Sequence, residues 1–339
     1  MEHRSLGRTG IQVSQWCLGA MSFGALGNTD PDDCARIVHT ALDAGINFVD
    51  TADIYSSGES ERIVGAALRG RRDDVVLATK CFWPMGQDPN RRGLSRRWIL
   101  RAIEESLDRL GTDWIDVYFC HKPDWDTDLE ETLGAMDDLV RSGKVRAVGL
   151  STYPSEWIVE AQWAAERRRL TPPSVEQPPY SVLVRGIETA VLPTCESHGM
   201  GVMVWGPLCG GWLTGKYRGG RPDASRADRW GQAGWDTGRP EVVRKASIVE
   251  ALAELADEAG IPLAHLAMAF STEHPAVTST IIGPRVLDQL TDLLPAAELR
   301  LDPELLDRID ELVPPGTNVD PADEGIRLPW LTDPAARRR

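Results

Sequence analysis

Short apolar runs recur along this chain in step with helical patterns, and that alternation narrows the possible folds more than any other feature. The runs fall at 16–19, 46–50, 75–80, 115–121, 145–150, 173–177, 201–205 and 278–282. Helical patterns separate them at 35–44, 59–68, 95–110, 128–141, 155–167 and 185–197, and two more share 240–272, broken near Gly260-Ile261-Pro262. The clearest places Ile99, Ile103, Leu107 and Leu110 on one face, with Ser95 as its cap and Gly111 just past its end. Strand and helix in alternation mean parallel strands joined by right-handed crossovers. Eight such units point to an α/β fold, a closed (β/α)8 TIM barrel, rather than an open doubly wound sheet. The weakest run is 173–177, hemmed by Pro172, Pro173, Pro178 and Pro179. Ahead of the barrel, Gly7, Gly10 and alternating Ile11 and Val13 read as an N-terminal β-hairpin, and 206–240 reads as an extended loop after strand seven. A last helix at 303–312 leads into a Pro-rich C-terminal tail, 314–339. The tail is expected to be solvated, the alternative being that its Trp330 region folds over the barrel mouth. With no internal repeat and no linker, residues 1–339 are expected to form a single domain.

The ends of consecutive runs carry chemistry. The run from Ile46 closes on Asp50, with Tyr55 five residues later; Val75–Thr79 is followed by Lys80, and Trp114–Cys120 by His121. A carboxylate ending a buried strand needs a cation beside it, because stripping water from an unpaired one is costly. Lys80 is placed to be that cation. Neighbouring parallel strands run about 4.8 Å apart, so acid, lysine, histidine and phenol converge at one rim. Taken singly, each has an ordinary explanation as a turn cap, a rim ion pair or a rim cover; four on successive strand ends do not. His3, His39, His198, His265 and His274 lack partner spacing and read as structural.

Composition removes several classes of function. A net charge of −14 disfavours nonspecific binding to nucleic acid or anionic lipid, so an anionic ligand needs a local cluster of donors. No apolar span approaches the roughly 18 residues of a membrane helix, and MEHRSLGRTG has no signal-peptide core, which makes a cytoplasmic location the expectation. The six cysteines stand singly, without a C-x-x-C pair, and read as reduced, buried thiols; no metal site is expected. The turn Gly19-Ala20-Met21-Ser22-Phe23-Gly24 lacks G-x-G-x-x-G and reads instead as a close-approach turn under a flat ligand. Gly210 to Lys216 approximates G-x-x-x-x-G-K, but Tyr217 stands where a magnesium-binding Ser or Thr is needed.

In order and spacing, Asp50-Thr51-Ala52 with Tyr55, Thr79-Lys80, Cys120-His121, Gly149-Leu150-Ser151, Gln177, Trp205-Gly206-Pro207-Leu208 and Ile281-Ile282-Gly283-Pro284-Arg285 resemble the aldo-keto reductases of the bacterial type. The likeness runs from Leu6-Gly7 to Arg285 and extends to potassium-channel β-subunits. It implies catalytic roles for Asp50, Tyr55, Lys80 and His121 that agree with the chemistry of carbonyl reduction. Hydride addition leaves an alkoxide that must be protonated as it forms. Tyr55 can serve only if its pKa, about 10 unperturbed, comes down, and a neighbouring ammonium has that effect. Asp50 holds Lys80 charged, and His121 orients the carbonyl.

The resemblance further implies a nicotinamide stacked on Trp205, with Ser151 and Gln177 on its carboxamide. Thr152 departs from the asparagine common there, and Leu293 from an adenine-contacting asparagine. Phosphates are expected on the loops after strands seven and eight, with Arg285 as a fork for a 2′-phosphate, which favours NADP(H) over NAD(H). The expected cofactor set is Gly19, Ala20, Met21, Asp50, Ser151, Thr152, Gln177, Trp205, Gly206, Pro207, Leu208, Gly211, Lys216, Gly283, Arg285 and Gln289. The expected pocket for a small-molecule carbonyl substrate is Met21, Tyr55, Trp83, His121 and Trp125, apolar or aromatic in character. Three functions stay open: an NADPH-dependent reductase of aldehydes or ketones, a nucleotide-sensing subunit with little turnover, and a lyase or isomerase forming an imine on Lys80. Oligomerisation is compatible with all of them.

Overall fold

The structure, a computed structural model, describes residues 1–218, 220, 225, 235, 236 and 238–337. Strands β1 (His3–Ser5) and β2 (Gln12–Ser14) pair antiparallel as the expected hairpin. The eight that follow are β3 (Trp16–Gly19), β4 (Phe48–Asp50), β5 (Val76–Cys81), β6 (Ile115–Cys120), β7 (Val145–Ser151), β8 (Val175–Gln177), β9 (Gly201–Val204) and β10 (Ser279–Ile282). They pair in parallel in that order, and β10 closes the barrel by pairing with both β9 and β3. Cα packing groups the chain into two compact units. The first is Met1–Pro178 with Ala190–Trp205 and Thr272–Leu299, and holds all the strands; the second is Pro179–Thr189 with Gly206–Ser271 and Arg300–Arg339. No helix among the described residues is long and apolar enough to cross a membrane.

Successive strand residues face opposite sides, so every second residue enters the barrel. Cys17, Phe48, Ala78, Val117, Phe119, Ala147, Val175, Met203 and Ile281 fill it, and Leu6 and Val13 of the hairpin join the same cluster. Gly149 faces inward beside Phe119: a Cβ added there would come within 2.3 Å of the ring, so only glycine leaves the aromatic its space. The central layer is therefore packed solid, as expected of this architecture.

Local chemistry explains where the helices depart from the apolar pattern. The first spans Pro31–Asp43, starting before the periodic residues, because Asp30 accepts from the Asp32 and Asp33 amides and Pro31 suits the first turn. Arg96–Leu110 buries the expected face, with Ser95 accepting from the Trp98 amide and Gly111 left-handed at φ 63°. In the stretch read as one helix at 185–197, only Val191–His198 is α-helical, and Gly186–Thr189 is a 3-10 turn. The Arg185 and Gly186 amides bond instead to Thr317 O and Asn318 Oδ1, which takes them out of a helical ladder.

That pairing belongs to the second unit and fixes the start of the tail, whose residues 321–335 stay exposed or half-exposed. Val184 bridges Asn318, Pro321–Glu324 forms a 3-10 turn, and Pro329–Thr332 is a single helical turn. Asp320 is fully buried, 3.0 Å from Arg239 and 3.3 Å from Lys245, while Asp323 lies 2.6 Å from Lys245. Two cations meeting two carboxylates hold a segment whose composition alone reads as solvated. The loop expected at 206–240 contains a 3-10 turn, Cys209–Thr214, and ends at the helix Pro240–Glu258; much of its middle lies outside the described residues.

Candidate active site

The period that fills the barrel also builds its mouth. Asp50 is the next inward residue after Phe48, Lys80 after Ala78, His121 after Phe119, Gln177 after Val175 and Trp205 after Met203. Registry staggers the strand ends by two residues at each of these steps, with Asp50 beside Ala78 and Lys80 beside Phe119. Side chains expected to converge therefore do so at one end of the barrel.

Lys80 is fully buried and Asp50 nearly so. The Lys80 ammonium donates to Asp50 Oδ2 at 2.6 Å, to the Thr51 carbonyl at 2.7 Å and to Tyr55 Oη at 3.3 Å, which occupies its three hydrogens. Burial works against the charge on Lys80, but Asp50 and then Tyr55 outweigh it and hold the ammonium above its ordinary value. The other Asp50 oxygen accepts from Gln177 Nε2 at 3.1 Å, tying β8 to β4 across the barrel. Tyr55 stands on a turn with Ser56 and Ser57 left-handed, at φ 49° and 54°. Such backbone persists only where the surroundings fix it; here Ser56 Oγ donates to Phe23 O and accepts from the Leu26 amide.

His121 meets the Tyr55 ring edge-on, with centroids 5.8 Å apart. Burial, helped by Lys80 and Lys122, holds its imidazole well below the ordinary value and so uncharged. Its Nδ1 is buried without a hydrogen-bond partner. Trp83, 40% exposed, stands edge-on to His121 with ring centroids 6.3 Å apart. Trp125 packs edge-on against Trp157 at 4.4 Å, and Met21 sits half-buried in the turn after β3.

The expected cofactor positions divide by location. Ser151 Oγ donates to the Gln177 carbonyl at 2.9 Å, so toward a ligand it can only accept. Gln177 has its Nε2 engaged with Asp50, and its Oε1 accepts nothing among the described residues. Thr152 is left-handed at φ 58°, held by its amide on Gln177 O at 3.2 Å. Ala20 is fixed by its amide on Asp50 O and by Ser60 Oγ on its carbonyl. Gly19 has a simpler cause than a ligand above it, since an added Cβ would meet Ile281 Cγ2 at 2.6 Å. Gly283 is open and exposed. Arg285 and Gln289 do not open a helix together: the helix is Leu287–Leu293, and Gln289 Oε1 accepts from the Arg285 amide at 2.8 Å. Gly206, Pro207, Leu208, Gly211 and Lys216 lie in the second unit, where Gly211 is left-handed at φ 98° and the Lys216 ammonium lies over the Tyr217 ring at 5.1 Å.

Sequence reasoning missed Lys122, whose ammonium donates to Thr152 Oγ1 at 2.9 Å and lies 5.8 Å from the Trp205 ring centre. Its position directly after His121 was the available signal. Also missed was Asp53, fully buried with neither carboxylate oxygen hydrogen-bonded and its carboxyl pushed well up by burial and then by Glu61. Among the described residues no group of three His, Cys, Asp or Glu could hold a metal ion.

Residues 16–314 match the family described as the Aldo/keto reductase family. The chain is similar to the "Uncharacterized oxidoreductase YrpG" of Bacillus subtilis (strain 168), 40% identical over 330 residues that cover 93% of this chain and 96% of that one. It is also similar to a "Probable voltage-gated potassium channel subunit beta" of Arabidopsis thaliana, 38% identical over 323 residues covering 92% and 97%. A "Putative voltage-gated potassium channel subunit beta" of Schizosaccharomyces pombe is 35% identical over 319 residues, covering 91% and 92%.

Proposed function

Because the chain belongs to the aldo/keto reductase family, we propose that it is an NADPH-dependent oxidoreductase reducing aldehydes or ketones to alcohols, with Tyr55 as proton donor. The observation that carries this reading is the Tyr55 phenol 3.3 Å from an ammonium which Asp50 holds at 2.6 Å. An ammonium at that distance stabilises a phenolate, so the phenol releases its proton more readily to a developing alkoxide. His121, uncharged and beside Tyr55, offers a ring nitrogen to the carbonyl oxygen and fixes its direction.

The rim fits a nicotinamide dinucleotide. Gln177 Oε1 and the Ser151 hydroxyl are acceptors suited to the two hydrogens of a carboxamide, and Trp205 offers its indole face. Arg285 would take a 2′-phosphate, the basis for proposing NADP(H) over NAD(H). When bound, the reduced cofactor supplies the hydride to the carbonyl carbon. Chain residues hold the carbonyl and deliver the proton from Tyr55 Oη to its oxygen.

The decisive experiment follows absorbance at 340 nm with NADPH, and separately NADH, over a panel of aldehydes and ketones, using wild type and Tyr55→Phe. The variant should bind NADPH unchanged and lose about 100- to 10,000-fold in kcat. Undiminished turnover would remove Tyr55 from the mechanism. Similarity to proteins named as potassium-channel β-subunits favours a second reading, a nucleotide-binding regulatory subunit. Tight NADPH binding with negligible turnover of every carbonyl tested would establish that one instead.

A further inference from the structure

Lys122 is placed to do something none of the four expected catalytic residues can do. It is rooted at the end of β6, yet its ammonium donates to Thr152 Oγ1 beyond the end of β7 and stands 5.8 Å from the centre of the Trp205 ring beyond β9. β6 and β9 are three strands apart around the wall, each step about 4.8 Å. The ammonium thus reaches from the end of β6 to the group beyond β7, with the Trp205 ring within cation–π range. It also follows His121 directly, so the ammonium and the carbonyl-facing imidazole share one strand end.

Lys80 gives its hydrogens to Asp50, Thr51 and Tyr55, and burial keeps His121 uncharged, so neither is suited to an anionic group. Lys122 brings a further ammonium beside Thr152 and the Trp205 ring. We propose that Lys122 determines specificity: it binds a carboxylate carried by the carbonyl substrate, so that the chain reduces semialdehydes and oxo acids in preference to neutral aldehydes. This rests on the reductase reading above. The reaction balances as for any carbonyl: the reduced nicotinamide gives a hydride to carbon, Tyr55 gives a proton to oxygen, and the carboxylate is left intact.

The ammonium is unusually easy to discharge. Burial pulls Lys122 down to about 8, partly opposed by Glu176. Glu176 faces it from β8, and burial holds that carboxyl well above its ordinary range; His121 faces it from its own strand. Recognition by Lys122 therefore weakens as pH rises through about 8.

The test compares succinic semialdehyde with its neutral methyl ester, using NADPH and the full chain. Wild type should favour the acid at pH 7 by about tenfold or more in kcat/KM, and the preference should fade by pH 9. Lys122→Met should abolish the preference by raising KM for the acid at least tenfold more than KM for the ester; Lys122→Arg should restore it. Equal losses on both substrates, or a fall in kcat alone, would make Lys122 a positioning residue and overturn the proposal. So would a wild-type enzyme that turns over the ester as well as the acid. Turnover of neither substrate would instead overturn the reductase reading, and this inference with it. If Lys122→Met fails to fold, Lys122→Gln, which keeps a donor for Thr152 but no charge, carries the same comparison.

Discussion

The uncharged state of His121 bears on stability. Its folded imidazole resists protonation, whereas in the unfolded chain the same ring takes a proton as pH falls through about 6.5. The unfolded state then binds more protons, and stability drops on acidification. Relative to His121→Asn, wild type should lose up to about 1.4 kcal/mol per pH unit below pH 6.5, measured as the difference in denaturant midpoints between pH 7.5 and 5. A constant difference across that range would mean the ring charges freely in the fold. Asp50, Tyr55, Lys80 and His121 were legible in sequence because each ends an apolar run or follows one closely. Lys122 was not, since its task depends on which neighbour its four-carbon stem reaches, and a strand-end lysine followed by Pro123 carries no mark of that. Asp53 was passed over for the same reason: a carboxyl three residues past Asp50 reads as a loop residue until packing buries it.

Among the elements, the strands were readable because alternation fixes both the core and the mouth. The same alternation makes Gly149 a test of barrel packing. A methyl group there would collide with the Phe119 ring on the paired strand. Gly149→Ala should cost about 1–3 kcal/mol, and Phe119→Leu in the same chain should recover part of it, a coupling that chemical denaturation of the double-mutant cycle would measure. Additive losses would show that the ring yields easily. Helix starts were less legible: Asp30 and Pro31 precede the apolar period at 35–44, and a cap is a local hydrogen bond rather than a pattern. Gly186–Thr189 left its expected helix because Arg185 and Gly186 found partners at 317 and 318, more than 130 residues away.

For the molecule as a whole, the start of the tail is held by charge, while 321–335 stay exposed or half-exposed. Asp320 and Asp323 meet Arg239 and Lys245 inside the second unit. Asp320→Ala removes the contact to Arg239 and one of the two to Lys245, which Asp323 still holds, so it should lower the melting temperature or bring earlier proteolysis within 206–271 and 300–339. An unchanged melting profile would show the cluster to be ornamental. By itself the sequence determined the closed parallel barrel, the hairpin ahead of it and the strand ends that carry the acid, phenol, lysine and histidine, because side-chain alternation along a strand is a local property written residue by residue. Only the tertiary structure decided that Lys122 meets Thr152 and the Trp205 ring, that Gly19 answers to Ile281, and that Asp320 and Asp323 tie the start of the tail to Arg239 and Lys245. Those outcomes turn on contacts between residues far apart in the chain, which exist only once the strands have closed.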